Sequence, residues 1–405
     1  MSALRAVTRR LDADVDLLDV AGADGLLFEK GADGLAGRGE ALTIRVARSD
    51  ADGFAGVTDA LTSMDIDDEV ARSGTGPVAF AAIPFDPASP TTFVVPSLVV
   101  GRAADGSRWL THISTGSGDE LDPVAPVRQT PRARRFEVEA VQDPGWWMGS
   151  VRAATERIAD GDFQKVVLAR ELLVTADAPI PRHELVARLR RSFPGCFSFA
   201  VGSMVGASPE LLVSRAGDMV HAHPMAGTAA RGGDPTTDAR LAASLLASTK
   251  DRAEHQITID MVWEALLPFC SYVDSEPEPS VVAVANVQHL ASLVEGRLSH
   301  PAASVLDLVA ALHPTPAVSG WPRDAAIAHI RDHEQLDRDR YAGAVGWVDA
   351  AGNGTWSVGI RSAIVDGERA RLFAGVGVVA DSDPEAELAE TDAKFQAVLS
   401  AILRP

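Results

Sequence analysis

The stretch TWSVGIRSAIVDGERARLFAGVGVVADSDPEAELAETDAKF, residues 355–395, contains two apolar runs followed by a helical pattern. The runs TWSVGIRSAIV and RARLFAGVGVV have the composition of β-strands, and Asp366 and Gly367 between them form a favoured two-residue turn. Strands joined by so short a turn must be antiparallel. Asp383 before Pro384 is an N-cap and first-turn signal, which predicts that a helix follows the second strand.

The same mixture of strands and helices is predicted in the part of the chain that precedes this stretch. A strand is predicted over residues 163–174, and Lys165 lies near its start. Residues 1–135 contain short apolar runs between clusters of Gly, Pro, Asp and Ser, a pattern typical of strands joined by turns. Helical spacing predicts helices over residues 146–160, 237–248, 255–267, 304–312, 323–333 and 383–402. We therefore expect an α+β fold with large, mostly antiparallel β-sheets, and a soft boundary near residue 135.

The composition excludes several classes of protein. With 405 residues, of which 46% are hydrophobic, the chain can bury a large core, so a disordered chain is excluded. Its 37 basic and 56 acidic residues leave a formal charge of −19, which repels nucleic acids and anionic membrane surfaces. No apolar stretch resembles a signal peptide or a membrane span, so a cytoplasmic protein is predicted. Cys196 and Cys270 form no CxxC pair and are expected to be reduced, buried thiols.

Only four of the 37 basic residues are lysines, namely Lys30, Lys165, Lys250 and Lys394. A GC-rich genome can replace lysine by arginine wherever any cation suffices, but arginine cannot give up its proton as lysine can. The remaining lysines are therefore candidates for a chemical role, although a few lysines survive such a bias by chance. Their neighbours in the fold must decide between the two interpretations.

Two pairs of carboxylates are candidates for a metal site. Glu387 and Glu390 lie three residues apart on one face of the last predicted helix, and Asp251 and Glu254 have the same spacing at the entrance of another. Each pair taken alone is typical of a solvent-exposed helix face or of a helix start. Taken together, Glu254 and Glu390 could hold Mg²⁺, which takes one or two protein carboxylates with waters and an anionic substrate.

A zinc ion and a dinucleotide are weaker candidates. The sequence lacks HExxH and CxxC motifs, and His221 and His223 are expected in a loop before Pro224. The stretch GVGVVA, residues 375–380, satisfies the short form of the dinucleotide fingerprint, but only one helix is predicted after it. No further strand is predicted there to bind the ribose, so we expect no nucleotide site.

Seven motifs occur in the order found in the chorismate-utilising enzymes and, within that family, in the isochorismate synthases. The chain resembles this family over residues 145–402, through the motifs FQKVVLAR, GASPELLV, HAHPMAGTAARGG, STKDRAEH, LHPTPAVSG, GIRSAIV and GVGVVADSDPEAELAETDAKF. The resemblance implies an α+β fold of two large, mostly antiparallel sheets packed together and flanked by helices, with a Mg²⁺ site in a deep cleft. It also implies that residues 1–135 are the variable, β-rich part of the same fold and that residues 136–405 form the chorismate-binding catalytic region.

The resemblance implies isomerisation of chorismate to isochorismate by attack of water at C2 and loss of the C4 hydroxyl. Lys165 matches the general base that activates the water, and Glu210 matches the general acid that protonates the departing hydroxyl. A lysine with an ordinary pKa of about 10.4 is almost fully charged at neutral pH, so the pKa of Lys165 must fall. The pKa of Glu210 must rise for this carboxyl to hold its proton.

The other functional positions of the family are carried over residue by residue. Glu254 and Glu390 match the metal ligands, while Asp251 and Glu387 match outer or water-mediated partners of the metal. The residues that match substrate-binding positions are Gly227, Thr228, Ala317, Val318, Tyr341, Arg361, Gly375 and Lys394. No glutamine amidotransferase subunit is expected, because Lys165 implies that water rather than ammonia is the nucleophile. A monomer is expected.

Several alternatives stay open at this point. Aminodeoxychorismate synthases carry a nucleophilic lysine where this chain has Ala226, and anthranilate synthases lack the lysine base. Salicylate synthases share both proton-transfer residues and the metal site; Ala317 and Val318 favour an isochorismate synthase, whereas Tyr341 is compatible with either. A noncatalytic chorismate-binding protein is the third alternative, and the retained catalytic and metal residues speak against it. The sequence is compatible with a product used for menaquinone biosynthesis or for siderophore biosynthesis.

Overall fold

A computed structural model describes residues 4–47, 53–115, 122, 133–284 and 287–404 of the chain. The helices in these ranges are α1 (Leu17–Ala21), α2 (Ala55–Thr62), α3 (Pro144–Ala159), α4 (Arg182–Ser192), α5 (Pro235–Ala247), α6 (Thr249–Leu266), α7 (Val305–Leu312), α8 (Arg323–His333) and α9 (Pro384–Leu403). All of the predicted helices are present, whereas α1, α2 and α4 were not predicted.

The strands in the same ranges are β1 (Arg5–Arg10), β2 (Leu26–Lys30), β3 (Asp33–Arg38), β4 (Leu42–Val46), β5 (Asp65–Asp68), β6 (Val78–Ile83), β7 (Thr91–Val95), β8 (Leu98–Arg102), β9 (Arg108–Ser114), β10 (Phe136–Ala140), β11 (Lys165–Ala176), β12 (Phe197–Val201), β13 (Met204–Ser208), β14 (Leu211–Ala216), β15 (Met219–His223), β16 (Met225–Ala230), β17 (Cys270–Ser275), β18 (Ser280–Val284), β19 (Val287–Ala291), β20 (Val294–Leu298), β21 (Gly320–Trp321), β22 (Ala344–Asp349), β23 (Gly354–Val358), β24 (Ser362–Asp366) and β25 (Arg369–Val378).

Two of the sheets that these strands form are large. The 13-stranded sheet has the order β10-β11-β25-β24-β13-β12-β2-β3-β8-β9-β1-β5, and β21 also pairs with β11. The 9-stranded sheet has the order β17-β20-β15-β14-β23-β22-β6-β7-β4, and a small sheet has the order β16-β19-β18. Neighbouring strands run antiparallel throughout the described part, apart from the parallel pair β1 and β5. The expected α+β fold with large, mostly antiparallel sheets is therefore confirmed, and the small sheet is an addition to it.

The two large sheets pack together through buried aromatic and aliphatic side chains. Phe28 and Leu35 from the 13-stranded sheet meet Phe80 and Trp347 from the 9-stranded sheet in one apolar cluster. Burial of each apolar side chain of this size contributes roughly 1.5–3 kcal/mol to the stability of the fold, so the contact between the two sheets is strongly stabilising. Helices α1, α4 and α9 contribute to a second cluster that also contains residues of the 13-stranded sheet.

Helix α9 shows how the packing positions functional side chains. The Asp383 side chain accepts a hydrogen bond from the Ala386 N–H at 2.8 Å, and Pro384 occupies the first turn, as predicted. Phe395 and Val398 on one face are buried in the second cluster, which fixes the rotation of the helix. The orientation of Glu387 and Glu390 on the same helix is thereby fixed.

Four local predictions needed correction. The run TWSVGIRSAIV is not one strand: its first half is β23 in the 9-stranded sheet and its second half is β24 in the 13-stranded sheet. The hairpin turn consists of Gly367 and Glu368, one residue later than predicted, because a glycine with φ of 56° suits the first turn position. Helix α6 begins at Thr249 rather than at residue 255, and His221 and His223 both lie in strand β15 rather than in a loop.

Residues before and after position 135 contribute to both large sheets. Strand β2 pairs with β12 in the 13-stranded sheet, and β6 pairs with β22 in the 9-stranded sheet. The boundary at residue 135 therefore runs through shared sheets, and the division into 1–135 and 136–405 stays a prediction. Among the described helices, none is long and apolar enough to span a membrane. Cys196 and Cys270 are free and buried, as predicted.

Candidate active site

One cavity of about 190 Å³ brings together every site residue predicted from the sequence. Strands β11 and β25, helices α6 and α9 and several loops contribute to its wall. The predicted residues on the wall are Lys165, Glu210, Gly227, Thr228, Asp251, Glu254, Ala317, Val318, Tyr341, Arg361, Gly375, Glu387, Glu390 and Lys394. The roles assigned to these residues stay predictions, but their common location is a feature of the structure.

Lys165 is the first residue of β11, where the predicted strand start placed it. Its side chain is only 3% exposed, and its Nζ donates a hydrogen bond to Glu254 Oε1 at 2.6 Å. The neighbouring strand leaves room for this side chain, because a Cβ atom at Gly377 would lie 2.8 Å from Lys165 Cε. The amine is thus confined to the cavity by its neighbours.

Glu210 lies between β13 and β14 and is buried. Its backbone is held by two hydrogen bonds: the Val358 N–H donates to its carbonyl at 3.1 Å, and its own N–H donates to Ser208 Oγ at 3.3 Å. Burial raises the pKa of Glu210 to about 8, although the Met225 N–H and the charge of Lys165 act in the opposite direction. This carboxyl is therefore protonated at neutral pH and can act as a proton donor.

The acidic and basic residues of α6 and α9 form ion pairs within the cavity wall. Lys394 Nζ lies 2.6 Å from Glu390 Oε1 and also donates to the Gly375 carbonyl at 2.8 Å. Burial is the largest single influence on Glu254 and would raise its pKa, but the charge and hydrogen bond of Lys165, with the charge of Lys394 and the Gly227 N–H, together lower that pKa. Glu254 is therefore held as a carboxylate, and Glu390 is paired with a cation.

Arg361 and Tyr341 form another part of the wall. Arg361 is buried and has a φ of 52°, a left-handed conformation that costs a residue with a side chain of order 1–3 kcal/mol. The Ala207 N–H donates to its carbonyl at 3.1 Å and helps to hold this conformation. The Tyr341 ring stacks on Phe373 with 5.0 Å between ring centroids. The Arg361 backbone and the Tyr341 ring are thus held in place at the cavity wall.

Comparison with known proteins identifies the family. A sequence profile described as "Chorismate binding enzyme" matches residues 29–403. This chain belongs to that family. The isochorismate synthase DhbC of Bacillus subtilis (strain 168) is 39% identical to this chorismate-binding enzyme over 337 residues, which cover 80% of this chain and 81% of that protein. The isochorismate synthase EntC of Escherichia coli (strain K12) is 34% identical over 341 residues, which cover 82% of this chain and 83% of that protein.

Solved structures agree with this membership. The crystal structure of DhbC from Bacillus anthracis matches the chorismate-binding enzyme with a TM-score of 0.81 and 34% identity, and the match covers 96% of this chain and 99% of that one. The menaquinone-specific isochorismate synthase MenF from Escherichia coli has the same fold, with a TM-score of 0.83, 24% identity and coverage of 100% and 95%. The family resemblance inferred from the motifs is therefore confirmed.

His289 is a cavity residue of this chorismate-binding enzyme that the sequence motifs missed. Its Nδ1 lies 3.3 Å from the Gly227 carbonyl oxygen and 3.1 Å from Thr228 Oγ1. Because a carbonyl oxygen can only accept, Nδ1–H is the donor to Gly227. Burial lowers the pKa of His289 to about 3, so the ring is neutral. His289 in β19 lies opposite Thr228 in the paired strand β16, and this strand pairing brings the two side chains into contact. No local sequence signal predicts that contact.

The remaining lysines of the chorismate-binding enzyme occupy different environments. Lys250 lies on the cavity wall, where its amine forms an ion pair with Asp381 at 3.1 Å. Lys30 lies 4.5 Å from the centre of the Phe197 ring and does not line this cavity. Ala226 lines the cavity at the position where aminodeoxychorismate synthases are expected to carry their lysine.

The charges on the wall fit a doubly anionic substrate together with a divalent cation. Four cations and four carboxylates line the cavity besides the protonated Glu210: Lys165, Lys250, Arg361 and Lys394, and Asp251, Glu254, Glu387 and Glu390. The local charge is thus close to zero with Lys165 charged and one unit more negative with Lys165 neutral, so two substrate carboxylates need further positive charge in either case. No group of three His, Cys, Asp or Glu side chains in the described part of the chain could hold a metal by itself. The oxygen donors suit Mg²⁺, which completes its coordination with waters and substrate.

Proposed function

We propose that this chorismate-binding enzyme is an isochorismate synthase that converts chorismate to isochorismate. The observation that carries the proposal is the shared cavity, in which a buried lysine amine and a carboxyl with a pKa near 8 accompany four carboxylates. A base and an acid on one substrate cavity are what the exchange of a hydroxyl group requires, because one proton must leave and another must arrive. The names of the relatives support the same activity.

In the proposed reaction, Lys165 in its neutral form removes a proton from a water molecule, which attacks C2 of the substrate. The ring double bonds shift, and the C–O bond at C4 breaks. Glu210 gives its proton to the departing hydroxyl, which leaves as water, so one water enters and one leaves. Because burial keeps Glu210 protonated at neutral pH, the acid is ready before the substrate arrives.

We propose that Glu254 and Glu390 hold Mg²⁺, with Asp251 and Glu387 as outer partners. Bound Mg²⁺ would supply the positive charge that the ring carboxylate of chorismate needs in this nearly neutral cavity. Glu254 also contacts Lys165 at 2.6 Å, so the same carboxylate links the metal site to the base.

The rest of the wall is assigned to substrate binding. Lys394 and Arg361 would bind carboxylates of the substrate, and a planar guanidinium suits a bidentate contact of that kind. The other residues assigned to this binding surface are Gly227, Thr228, Ala317, Val318, Tyr341 and Gly375. A monomeric, cytoplasmic enzyme without an amidotransferase subunit stays a prediction.

The test is to incubate the purified protein with chorismate and Mg²⁺ and to separate the products by chromatography. We expect isochorismate as the sole product. Salicylate with pyruvate would instead identify a salicylate synthase, and the absence of any product would identify a noncatalytic chorismate-binding protein.

The matched pair of variants for this test is Lys165→Ala and Lys30→Ala. Lys165→Ala removes the base, so turnover should fall by about 10²–10⁴-fold while chorismate binding in the presence of Mg²⁺ is kept. Lys30→Ala removes a lysine outside the cavity and should leave turnover unchanged. Full turnover by Lys165→Ala would contradict the proposed mechanism.

A further inference from the structure

A buried ion pair lies directly behind the candidate active site. Glu334, just after α8, and Arg338 are each 2% exposed, and Arg338 Nε donates to Glu334 Oε2 at 2.7 Å. A second guanidinium nitrogen of Arg338 donates to the other carboxylate oxygen, so the pair is bidentate. Neither side chain lines the cavity, and neither takes part in the proposed reaction.

The pair also binds the backbone of separate segments of the chain. Arg338 donates to the Val318 carbonyl at 2.9 Å and to the Val167 carbonyl at 2.7 Å. The Ala169 N–H donates to Glu334 Oε1 at 2.6 Å. The guanidinium also lies 4.2 Å from the centre of the Phe85 ring, which comes from the N-terminal part of the chain. One buried pair thus holds two segments at a fixed distance.

Each bonded segment contributes to the cavity wall. Strand β11 carries Lys165 and Val167, and the loop before β21 carries Ala317 and Val318. The backbone carbonyl of Arg338 itself accepts from the Tyr341 N–H at 2.8 Å, so the wall residue Tyr341 is held by the same cluster. The pair therefore reinforces the contact between the strand of the proposed base and the adjoining wall segment, which also pairs with β11 directly through β21.

Stability alone does not account for such a pair. Replacing a buried ion pair by apolar residues of similar volume is often neutral or stabilising, because desolvation of the two charges offsets their attraction. The pair also forms hydrogen bonds to the backbone at Val167, Val318 and Ala169. Its rigid geometry therefore determines where these segments of the cavity wall lie.

We infer that Glu334 and Arg338 are positioning residues that set the place of the substrate ring relative to the Lys165 amine. This inference rests on the proposed function. A displacement of about 1 Å between a catalytic group and its substrate can reduce a rate about 100-fold, so small shifts of β11 are sufficient for a large effect. Lysine cannot replace Arg338, because an ammonium group cannot contact the carboxylate and two carbonyls in a planar fork.

The deciding variant is Arg338→Lys, which keeps the positive charge and loses the fork. Circular dichroism and thermal unfolding select conditions in which the variant is folded, and kcat, KM and chorismate affinity are then measured. We expect kcat to fall by about 10–100-fold in the folded protein. If the pair only neutralises charge, Arg338→Lys will restore the kcat that Arg338→Met loses, and the inference will be overturned.

The matched control is Glu171→Gln on the same strand. Glu171 is buried and binds Arg371 at 2.6 and 3.1 Å, but it does not line the cavity. The Glu171→Gln substitution should lower the unfolding temperature and leave kcat within about twofold of the wild-type value.

Glu334→Gln tests the other partner of the pair, since the amide oxygen of the glutamine can still accept from the Ala169 N–H. This variant replaces Arg338→Lys as the deciding test if Arg338→Lys does not fold. An unchanged kcat in folded Glu334→Gln would then overturn the inference.

The outcomes separate this inference from the proposed function. If the wild-type protein makes no product, the proposed function fails, and the positioning effect is judged from chorismate binding alone. Arg338→Lys should then bind chorismate about tenfold more weakly than the wild type, because the Val318 and Tyr341 walls have moved. Equal affinity would overturn the positioning role in that case also.

Discussion

The buried carboxyl of Glu210 should control how activity declines at alkaline pH. Burial raises its pKa to about 8, so the carboxyl is protonated below that value and ionised above it. We expect kcat/KM for chorismate to fall about tenfold per pH unit above pH 8, because the acid form is lost. Glu210→Gln cannot donate a proton and should be slower by about 10²–10⁴-fold. A pH profile of isochorismate formation by both proteins measures this.

Thermal unfolding provides the control for the same residue. The folded-state pKa of Glu210 lies above the ordinary value of about 4.3, so the protonated carboxyl contributes stability that is fully present below pH 4.3. That contribution is lost as the pH rises through about 8. Relative to the wild type, Glu210→Gln should therefore gain stability over this interval. An identical pH dependence of unfolding in both proteins would show that Glu210 does not have the raised pKa.

At the level of the paired strands β11 and β25, the absence of a side chain at Gly377 gives the Lys165 side chain its space. A Cβ atom at Gly377 would lie 2.8 Å from Lys165 Cε and 3.3 Å from Glu254 Oε1. The end of a lysine side chain can move aside cheaply, so Gly377→Ala should fold, with a displaced amine. We expect kcat to fall about tenfold or more, with little change in unfolding temperature. Steady-state kinetics and calorimetry measure the two effects.

A glycine in a helix gives the matching control. A Cβ atom at Gly149, inside α3, would meet nothing within 4 Å. Gly149→Ala should raise the free energy of unfolding by about 1 kcal/mol through helix propensity and leave kcat unchanged. If Gly377→Ala were as active as Gly149→Ala, the proposed place of the Lys165 amine would be wrong.

The elements also show which structural features the sequence can predict. Local signals placed Lys165 at the start of β11, the Asp383 cap before α9 and both ends of α8, because caps and periodic patterns act over a few residues. The run TWSVGIRSAIV was assigned to one strand, because alternation does not reveal that a chain leaves one sheet for another at Arg361. His289 was missed for a related reason, since its partners lie about 60 residues away.

For the whole molecule, the cavity depends on parts of the chain that are distant in sequence. Strand β11, helix α6 and helix α9 each supply charged residues to it, and both large sheets contain strands from either side of residue 135. A ligand that joins α6 to α9 therefore links segments that separate on unfolding. Binding to the folded state alone must then stabilise the entire protein, by mass action.

Mg²⁺ should show this coupling without any substrate. At a free concentration of about 100 times its Kd, a ligand that binds only the folded state adds about 2.7 kcal/mol to the free energy of unfolding. We therefore expect Mg²⁺ to raise the unfolding temperature by a few degrees. Glu390→Gln removes a proposed ligand and should lose most of this rise, whereas Glu385→Gln, an exposed residue of the same helix, should keep it. Calorimetry with Mg²⁺ and with Na⁺ at equal ionic strength separates binding from screening. An equal rise in Glu390→Gln and the wild type would place the metal elsewhere, since carboxylates outside the cavity would then account for the binding.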